Sequence, residues 1–294
     1  MAPGNRDFGM QRLWQDRLPA GSVGLAWLGQ AGFAMRCEGC RLLIDPYLSD
    51  FLAEKYRGTQ FPHVRLMPAP VEPGQIQGLD WVFCTHRHSD HMDPGSLPLL
   101  AQNNSACRFV VPRAERQAAL QAGVPADRIV AVNAGESVSL SESVTVKAVA
   151  AAHETLQVNE HGEHHFLGFI FKTPRLVLYH SGDCVPYDGL ADELLRHKIA
   201  LALLPVNGRD AYRASHGIAG NFTFAEARQL CVDAHIPRLV PHHFGMFAFN
   251  TPSLAELRQE ASRSSFGDAC LLPAVECYYL LEQGRAGTPS IIEL

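Results

Sequence analysis

Thr85-His86-Arg87-His88-Ser89-Asp90-His91 follows directly on the apolar run Asp80-Trp81-Val82-Phe83-Cys84, and the junction of the two decides the fold. The run reads as a buried strand that delivers its C-terminal end to a loop. That loop carries three imidazoles and a carboxylate. His86 and His88 alternate, so they can share one metal ion, while Asp90 and His91 serve a neighbouring ion about 3.5 to 4 Å away, the spacing of two-metal hydrolytic centres. Imidazole mixed with carboxylate suits zinc, manganese or iron. A surface turn rich in histidine by chance is the competing reading. It loses ground because further ligand-type residues stand at the ends of later apolar runs.

The segment Ala148-Val149-Ala150-Ala151-Ala152-His153 ends a strand on a histidine that can complete a three-histidine site with His86 and His88. Leu176 to Asp183 (LVLYHSGD) brings a carboxylate to another strand end, where Gly182 permits a tight turn. A carboxylate between two cations can bridge them, which makes Asp183 the expected bridge; His180 falls one alternation too early and reads as structural. Arg238 to Gly245 (RLVPHHFG) offers both His242 and His243 as a last ligand. Asp45 ends the apolar strand RLLID just before Pro46. It is either a turn-forming Asp-Pro or a carboxylate that holds a ligand imidazole in one tautomer.

Outward from these segments, the 294 residues are 47% hydrophobic, enough to bury a large core in one or two domains. A formal charge of −5 without a long basic run argues against nucleic acid as the main partner. Met1 to Pro19 is polar and no apolar stretch approaches bilayer length, so the expectation is a cytoplasmic protein with no membrane span. The eight cysteines have no framework spacing and read as buried thiols. Cys37-Glu38-Gly39-Cys40 is formally C-x-x-C, but flanking strands and a Glu-Gly turn read as a hairpin.

Residues 5–19 read as an N-terminal extension with a short helix, and 49–79, broken by four prolines, as a long loop over one rim of the site. A helix is expected from Asp93-Pro94, then a strand, helix and strand over 108–132, and strands at 143–149, 167–172, 176–179 and 199–204. Thr223-Phe224-Ala225-Glu226 is a capping box opening a helix to about Ala234, and Thr251-Pro252 caps a last helix to about Arg263. Leu271–Leu281 reads as an edge strand and Gly284–Leu294 as a loosely ordered tail. Strands and helices mixed in both halves fit two sheets covered by helices.

H-x-H-x-D-H at 86–91, an isolated histidine at 153, S-G-D at 181–183 and P-x-H at 241–243 together resemble the metallo-β-lactamase-fold hydrolases. The likeness spans nearly the whole chain, from WLGQAGF (27–33) and LIDP (43–46) to PHHFGMF (241–247). Within that superfamily, LYHSGD (178–183) and LLPVNGRD (203–210) are similar to the branch containing L-ascorbate-6-phosphate lactonase. The resemblance implies a mixed α/β (α+β) fold, a four-layer αβ/βα sandwich with metals at one edge between the sheets. It implies residues 1–20 as an extension, 21–283 as one hydrolase domain and 284–294 as a tail. The cofactors it implies are two divalent ions, zinc or manganese, with iron as a further option. His86, His88 and His153 would hold one ion and Asp90, His91 and His243 the other, with Asp183 bridging and Asp45 behind a ligand; the P-x-H register selects His243.

The implied activity is hydrolysis of a lactone or a phosphorylated sugar-like small molecule by a metal-held hydroxide, with Asp90 and Asp183 as the catalytic carboxylates. A phosphodiesterase acting on cyclic nucleotides or phospholipid head groups is the alternative, followed by a non-hydrolytic iron redox protein. Asn207, Arg209 and Arg213 follow a buried strand between two ligand segments, where either arginine could grip a phosphate or carboxylate. Asn221 reads as turn chemistry, with a hydrogen bonder near the metals as the alternative. His161, His164 and His165, with Glu160 and Glu163, mark an exposed hairpin tip. The expected partner is a small-molecule substrate, and a homo-oligomer is left open. Two departures from the lactonase, a shorter segment after Asp45 and Cys184-Val185-Pro186-Tyr187 after the S-G-D, fall on the expected substrate rim.

Overall fold

A computed structural model describes residues 9–263, 269–284 and 288–294. Residues 1–8 of the expected N-terminal extension and 285–287 of the expected tail lie outside the described residues. Helix α1 (Gly9–Gln15) buries Met10 and Leu13 against the body. Strands β1 (Val23–Gly29), β2 (Gly32–Cys37) and β3 (Cys40–Ile44) form an antiparallel meander. Glu38 and Gly39 turn the chain between the last two with φ of 46° and 81°, two consecutive left-handed residues of the kind that matches strand twist in a two-residue loop. Cys37 and Cys40 are therefore paired across a hairpin, as the Glu-Gly turn predicts. Burial pushes the Cys37 thiol up to about 12, and all eight cysteines are free.

Helix α2 (Phe51–Lys55) opens the proline-rich segment that the sequence leaves as loop. Strand β4 (Trp81–Phe83) is short and wholly buried, and α3 (Leu97–Asn103), β5 (Arg108–Pro112), α4 (Arg116–Gln121) and β6 (Ile129–Val132) follow. The helix expected from Asp93 starts only at Leu97, because the Asp93 carboxylate is taken up by Gly95 N, Ser96 Oγ and Ser49 instead of opening a helix.

The second half builds β7 (Ser137–Ser139), β8 (Thr145–Ala150), a two-residue pair β9 (Ala152–His153) and β10 (Thr155–Leu156), then β11 (Leu167–Lys172) and β12 (Val177–His180). Helix α5 (Leu190–Leu195), β13 (Leu201–Pro205), α6 (Ala211–Ser215), α7 (Phe224–Asp233) and β14 (Leu239–His242) complete it. Thr223 and Glu226 form the predicted reciprocal cap at the start of α7. Helix α8 (Leu254–Arg263) is capped by Ser253 and Glu256 and not by Thr251, whose hydroxyl accepts from Gly245 N.

The chain then returns to the first sheet as β15 (Tyr278–Glu282) and β16 (Ser290–Glu293). The expected edge strand is thus an inner one, because Ile291 and Ile292 pair with Leu281 and Leu280 and extend the sheet into the tail. The first sheet runs β16-β15-β1-β2-β3-β4-β5-β6 and the second β14-β13-β12-β11-β8-β7. Their facing sides share one core in which Phe83 meets Phe169 and Phe171 edge-on, each at 5.1 Å. The outer face of the first sheet buries Leu28, Leu43, Val82 and Phe109 against α1, α3 and α4. Helices outside, two sheets inside, give the expected four layers.

Both sheets contain a parallel run, β3-β4-β5-β6 in one and β12-β13-β14 in the other. Parallel strands present their C-terminal ends together, and ligand sites of α/β sheets form there. Asp45, the 85–91 loop, Asp183 and His243 all leave strands at that edge.

Candidate metal centre

Thr85 joins the two sheets at this edge. Its backbone N and hydroxyl donate to the buried Asp45 carboxylate at 2.8 and 2.7 Å. Gly182, at φ 61°, lies so close that a Cβ there would fall 2.7 Å from the Thr85 side chain, and this tight approach brings Asp183 beside the loop. His180, fully buried, accepts from Gly182 N through Nδ1 and contacts Ala31 O through Nε2, holding that turn rather than facing the site.

Three sets of ligand-type atoms each gather within 4.8 Å: His86 with His88 and His153, His86 with His91 and Asp183, and Asp90 with His91 and His243. The shared members make one continuous centre. In it, Asp183 Oδ1 lies 3.3 Å from His91 Nε2 and its Oδ2 lies 3.3 Å from His243 Nε2. Asp90 Oδ2 sits 3.7 Å from the first of these rings and 3.6 Å from the second. His91 Nδ1 donates to Asp45 Oδ2 at 2.7 Å, which fixes the tautomer and turns the Nε2 lone pair toward the carboxylates. His242, by contrast, stacks on His180 at 4.7 Å behind the centre.

This donor set fits divalent cations. Burial lowers the basicity of His86, His88 and His153, the last to about 4, so their lone pairs are free at neutral pH. His86 Nε2 and His88 Nδ1 nevertheless point at each other across 3.0 Å. Burial raises the Asp183 carboxyl, but His243 and His91 outweigh it and hold it well below the usual carboxylate range. Burial lowers His91, and Asp183, Asp45 and Asp90 more than reverse it. Buried, His91 Nε2 and Asp183 Oδ1 have no hydrogen-bond partner. Converging imidazoles and buried carboxylates at such spacing are what a cation satisfies.

Gln30 was not read from the sequence as part of this site. It sits between β1 and β2 with φ 51°, 2% exposed, and its Nε2 donates to Asp90 Oδ2 at 2.8 Å and lies 3.1 Å from His243 Nε2. Its carbonyl accepts from His243 N at 2.8 Å and from the Trp27 indole at 3.1 Å. The legible signal was an amide side chain at the bend of the otherwise apolar WLGQAGF. Gln30, Asp45 and His243 all hold left-handed backbone, at φ 51°, 44° and 60°. Such strain costs on the order of 1–3 kcal/mol per residue and collects at functional sites.

The centre opens into a cavity of about 920 Å³. Asn207, Arg209 and Arg213 do not line it. The Arg209 guanidinium forks onto Glu226 at 2.7 and 2.6 Å, while Arg213 donates to Asp210 at 2.5 Å, to Asn207 O and to Asn250 Oδ1. Asn207 donates to Asn250 Oδ1 at 2.9 Å and accepts from Asn221 at 3.0 Å. Asn221, read as turn chemistry, is fully buried, and its amide donates to Asn207. At the hairpin of 158–164, His164 contacts Asn133, His165 contacts Glu115 at 2.6 Å and His161 faces solvent beside Glu160. Among the described residues, these three histidines form no ligand cluster.

A family model described as a β-lactamase superfamily domain matches residues 40–244. The chain belongs to the metallo-β-lactamase superfamily. A metal-dependent hydrolase of Caldivirga maquilingensis is 30% identical over 184 residues, 63% of this chain and 70% of that protein. A probable L-ascorbate-6-phosphate lactonase of Escherichia coli is 22% identical over 268 residues, 81% of this chain and 74% of its own. Among solved structures, the isothiocyanate hydrolase from Delia radicum gut bacteria superimposes with a TM-score of 0.67 at 20% identity, covering 87% of this chain and 98% of that one. The chain is a metal-dependent hydrolase of the metallo-β-lactamase superfamily. No described helix is long and apolar enough to cross a membrane.

Proposed function

We propose that this hydrolase cleaves a lactone or a phosphorylated sugar-like small molecule at a centre of two divalent cations, zinc or manganese. His86, His88 and His153 would hold one cation, Asp90, His91 and His243 the other, and Asp183 would touch both. The observation that carries the reading is the convergence of these seven side chains from four separate segments into three overlapping sets, each within ligand distance. Cations bound there would lower the pKa of water and polarise a carbonyl or phosphoryl oxygen. Asp45 keeps His91 a lone-pair donor toward the centre. Asp90 lines the cavity and is steadied by Gln30, which suits it to orient a water and hold its proton. Asp183 lies 3.3 Å from both His91 and His243 and gathers with His86 as well, which suits it to reach both cations. Eight free cysteines suit a reducing, cytoplasmic compartment.

A phosphodiesterase is the second reading, favoured by a cavity of about 920 Å³, which is large for a sugar lactone. Metal-stripped protein reloaded with zinc or manganese is assayed against lactones, phosphomonoesters and phosphodiesters. Turnover restored by metal in one arm, and abolished by His88→Ala or Asp183→Ala with the circular dichroism spectrum kept, supports the reading. Full activity in either variant refutes the assignment.

A further inference from the structure

The lining of the cavity is sorted by chemistry. Among the described residues its only carboxylates are Asp90 and Asp183, both drawn into the centre. Two cations also line it, Lys55 at the end of α2 and Arg87 between two ligand-type histidines. No carboxylate among the described residues forms an ion pair with either. Arg209 and Arg213, outside the cavity, are neutralised by Glu226 and Asp210. The cavity therefore keeps positive charge that no described carboxylate pairs with, Lys55 Nζ lying 5.2 Å from the centre of the Tyr56 ring.

Aromatic rings form another part of the wall. Tyr56 stacks on His63 at 4.2 Å, and His63 meets Phe247 and Phe249 edge-on at 4.9 and 4.7 Å. Phe247 and Phe249 lie parallel, 9° apart in plane, and Phe61 packs against Phe249 at 5.4 Å. All five line the same cavity, and all but Phe247 keep partly exposed faces. Flat rings brought together from two distant loops and left partly uncovered are a surface for a planar group.

Asn250 lines this cavity as well. Its Oδ1 accepts from Asn207 Nδ2 at 2.9 Å and from Arg213 Nη1 at 2.6 Å, which uses both lone pairs and fixes which way the amide points. Its Nδ2 is left to donate.

We propose that the substrate is an anion with an aromatic body. Its planar part lies on the rings of Tyr56, Phe61, His63 and Phe249, its charged group is held by Lys55 and Arg87, and Asn250 Nδ2 donates to its polar edge. The inference rests on the proposed hydrolase reading for the reacting bond, though not for binding. A volume of about 920 Å³ lies at the upper end for pockets that take drug-sized ligands, so a body larger than a single sugar fits.

Three probes separate the contributions in calorimetric titration of the metal-loaded protein: 1-naphthylphosphonate, methylphosphonate and 1-naphthol. The first should bind about tenfold or more tighter than either of the others, since it alone uses both rings and cations. Phe249→Ala, with Phe249→Leu as a volume-keeping control on folding, should bring the naphthyl and methyl phosphonates within about threefold of each other. Lys55→Gln combined with Arg87→Gln should remove the advantage over naphthol. Equal binding of the two phosphonates by the unaltered protein, or an advantage untouched in both Phe249→Ala and Phe249→Leu, overturns the inference. Both ratios kept in a protein that hydrolyses no ester of the panel would support it while telling against the hydrolase reading.

Discussion

Asp45→Asn perturbs the centre without touching any side chain assigned to a cation. The carboxylate is fully buried and accepts from Thr85 N at 2.8 Å, from Thr85 Oγ1 at 2.7 Å and from His91 Nδ1 at 2.7 Å. Asparagine keeps the shape and the oxygen that faces Thr85 N. The other oxygen becomes an NH2 group facing two donors. The Thr85 hydroxyl can rotate to accept; His91 can accept only by moving its proton to Nε2, the nitrogen 3.3 Å from Asp183. The ring would then present an N–H where a cation needs a lone pair. Loss of an oriented outer partner lowers metal affinity about 10- to 100-fold, or about 1.4–2.7 kcal/mol. The loss should fall mainly on one of two binding events, because Asp45 bonds His91 directly and reaches His86 only through the Thr85 hydroxyl, 3.0 Å from His86 Nδ1. Calorimetric titration of stripped protein with zinc or manganese reads both events. Two equivalents bound with unchanged affinity by Asp45→Asn would refute the assignment of His91 and the role of Asp45 together.

Gln30→Leu removes the donor 2.8 Å from Asp90 Oδ2 in a buried site and should weaken the same binding event about tenfold, measured by competition with a chromogenic chelator. Glu193 is held down to about 2 by its hydrogen bond from Lys147 at 2.7 Å, below its ordinary 4.5. Its depressed folded pKa means that this stabilisation is complete above pH 4.5 and is lost as pH falls toward 2. Lys147→Met should therefore flatten the fall of Tm over that window. Phe169→Ala empties the contact between the sheets, where the ring is 1% exposed against Phe83 and Phe171, and should cost about 3–5 kcal/mol with an unchanged urea m-value.

Much of the centre was legible because its residues sit where apolar periodicity stops. Buried strands announce themselves in sequence, and a histidine or aspartate at the exit of one is conspicuous, as with His86, His153 and Asp183. The Glu-Gly turn likewise identified the Cys37–Cys40 hairpin from local conformational preference alone. Long-range partnerships are a different matter. Arg213 and Asn250 meet across 37 positions, and Arg209 finds Glu226 across 17; nothing local distinguishes these arginines from ones that grip a substrate. Gln30 reaches Asp90 across 60 positions from a bend that reads as mere punctuation. The 49–79 segment gave only prolines to read, so the convergence of its Tyr56, Phe61 and His63 on Phe249 was invisible. The tail strand β16 was missed because four residues carry too little pattern to outweigh their glycine- and proline-marked approach.

The most direct test is anomalous diffraction from crystals grown with manganese or zinc, with data collected on both sides of the metal edge. Two peaks are expected, one among His86, His88 and His153 and one among Asp90, His91 and His243, with the Asp183 carboxylate between them. A peak elsewhere on the protein, with none amid these side chains, would contradict the account.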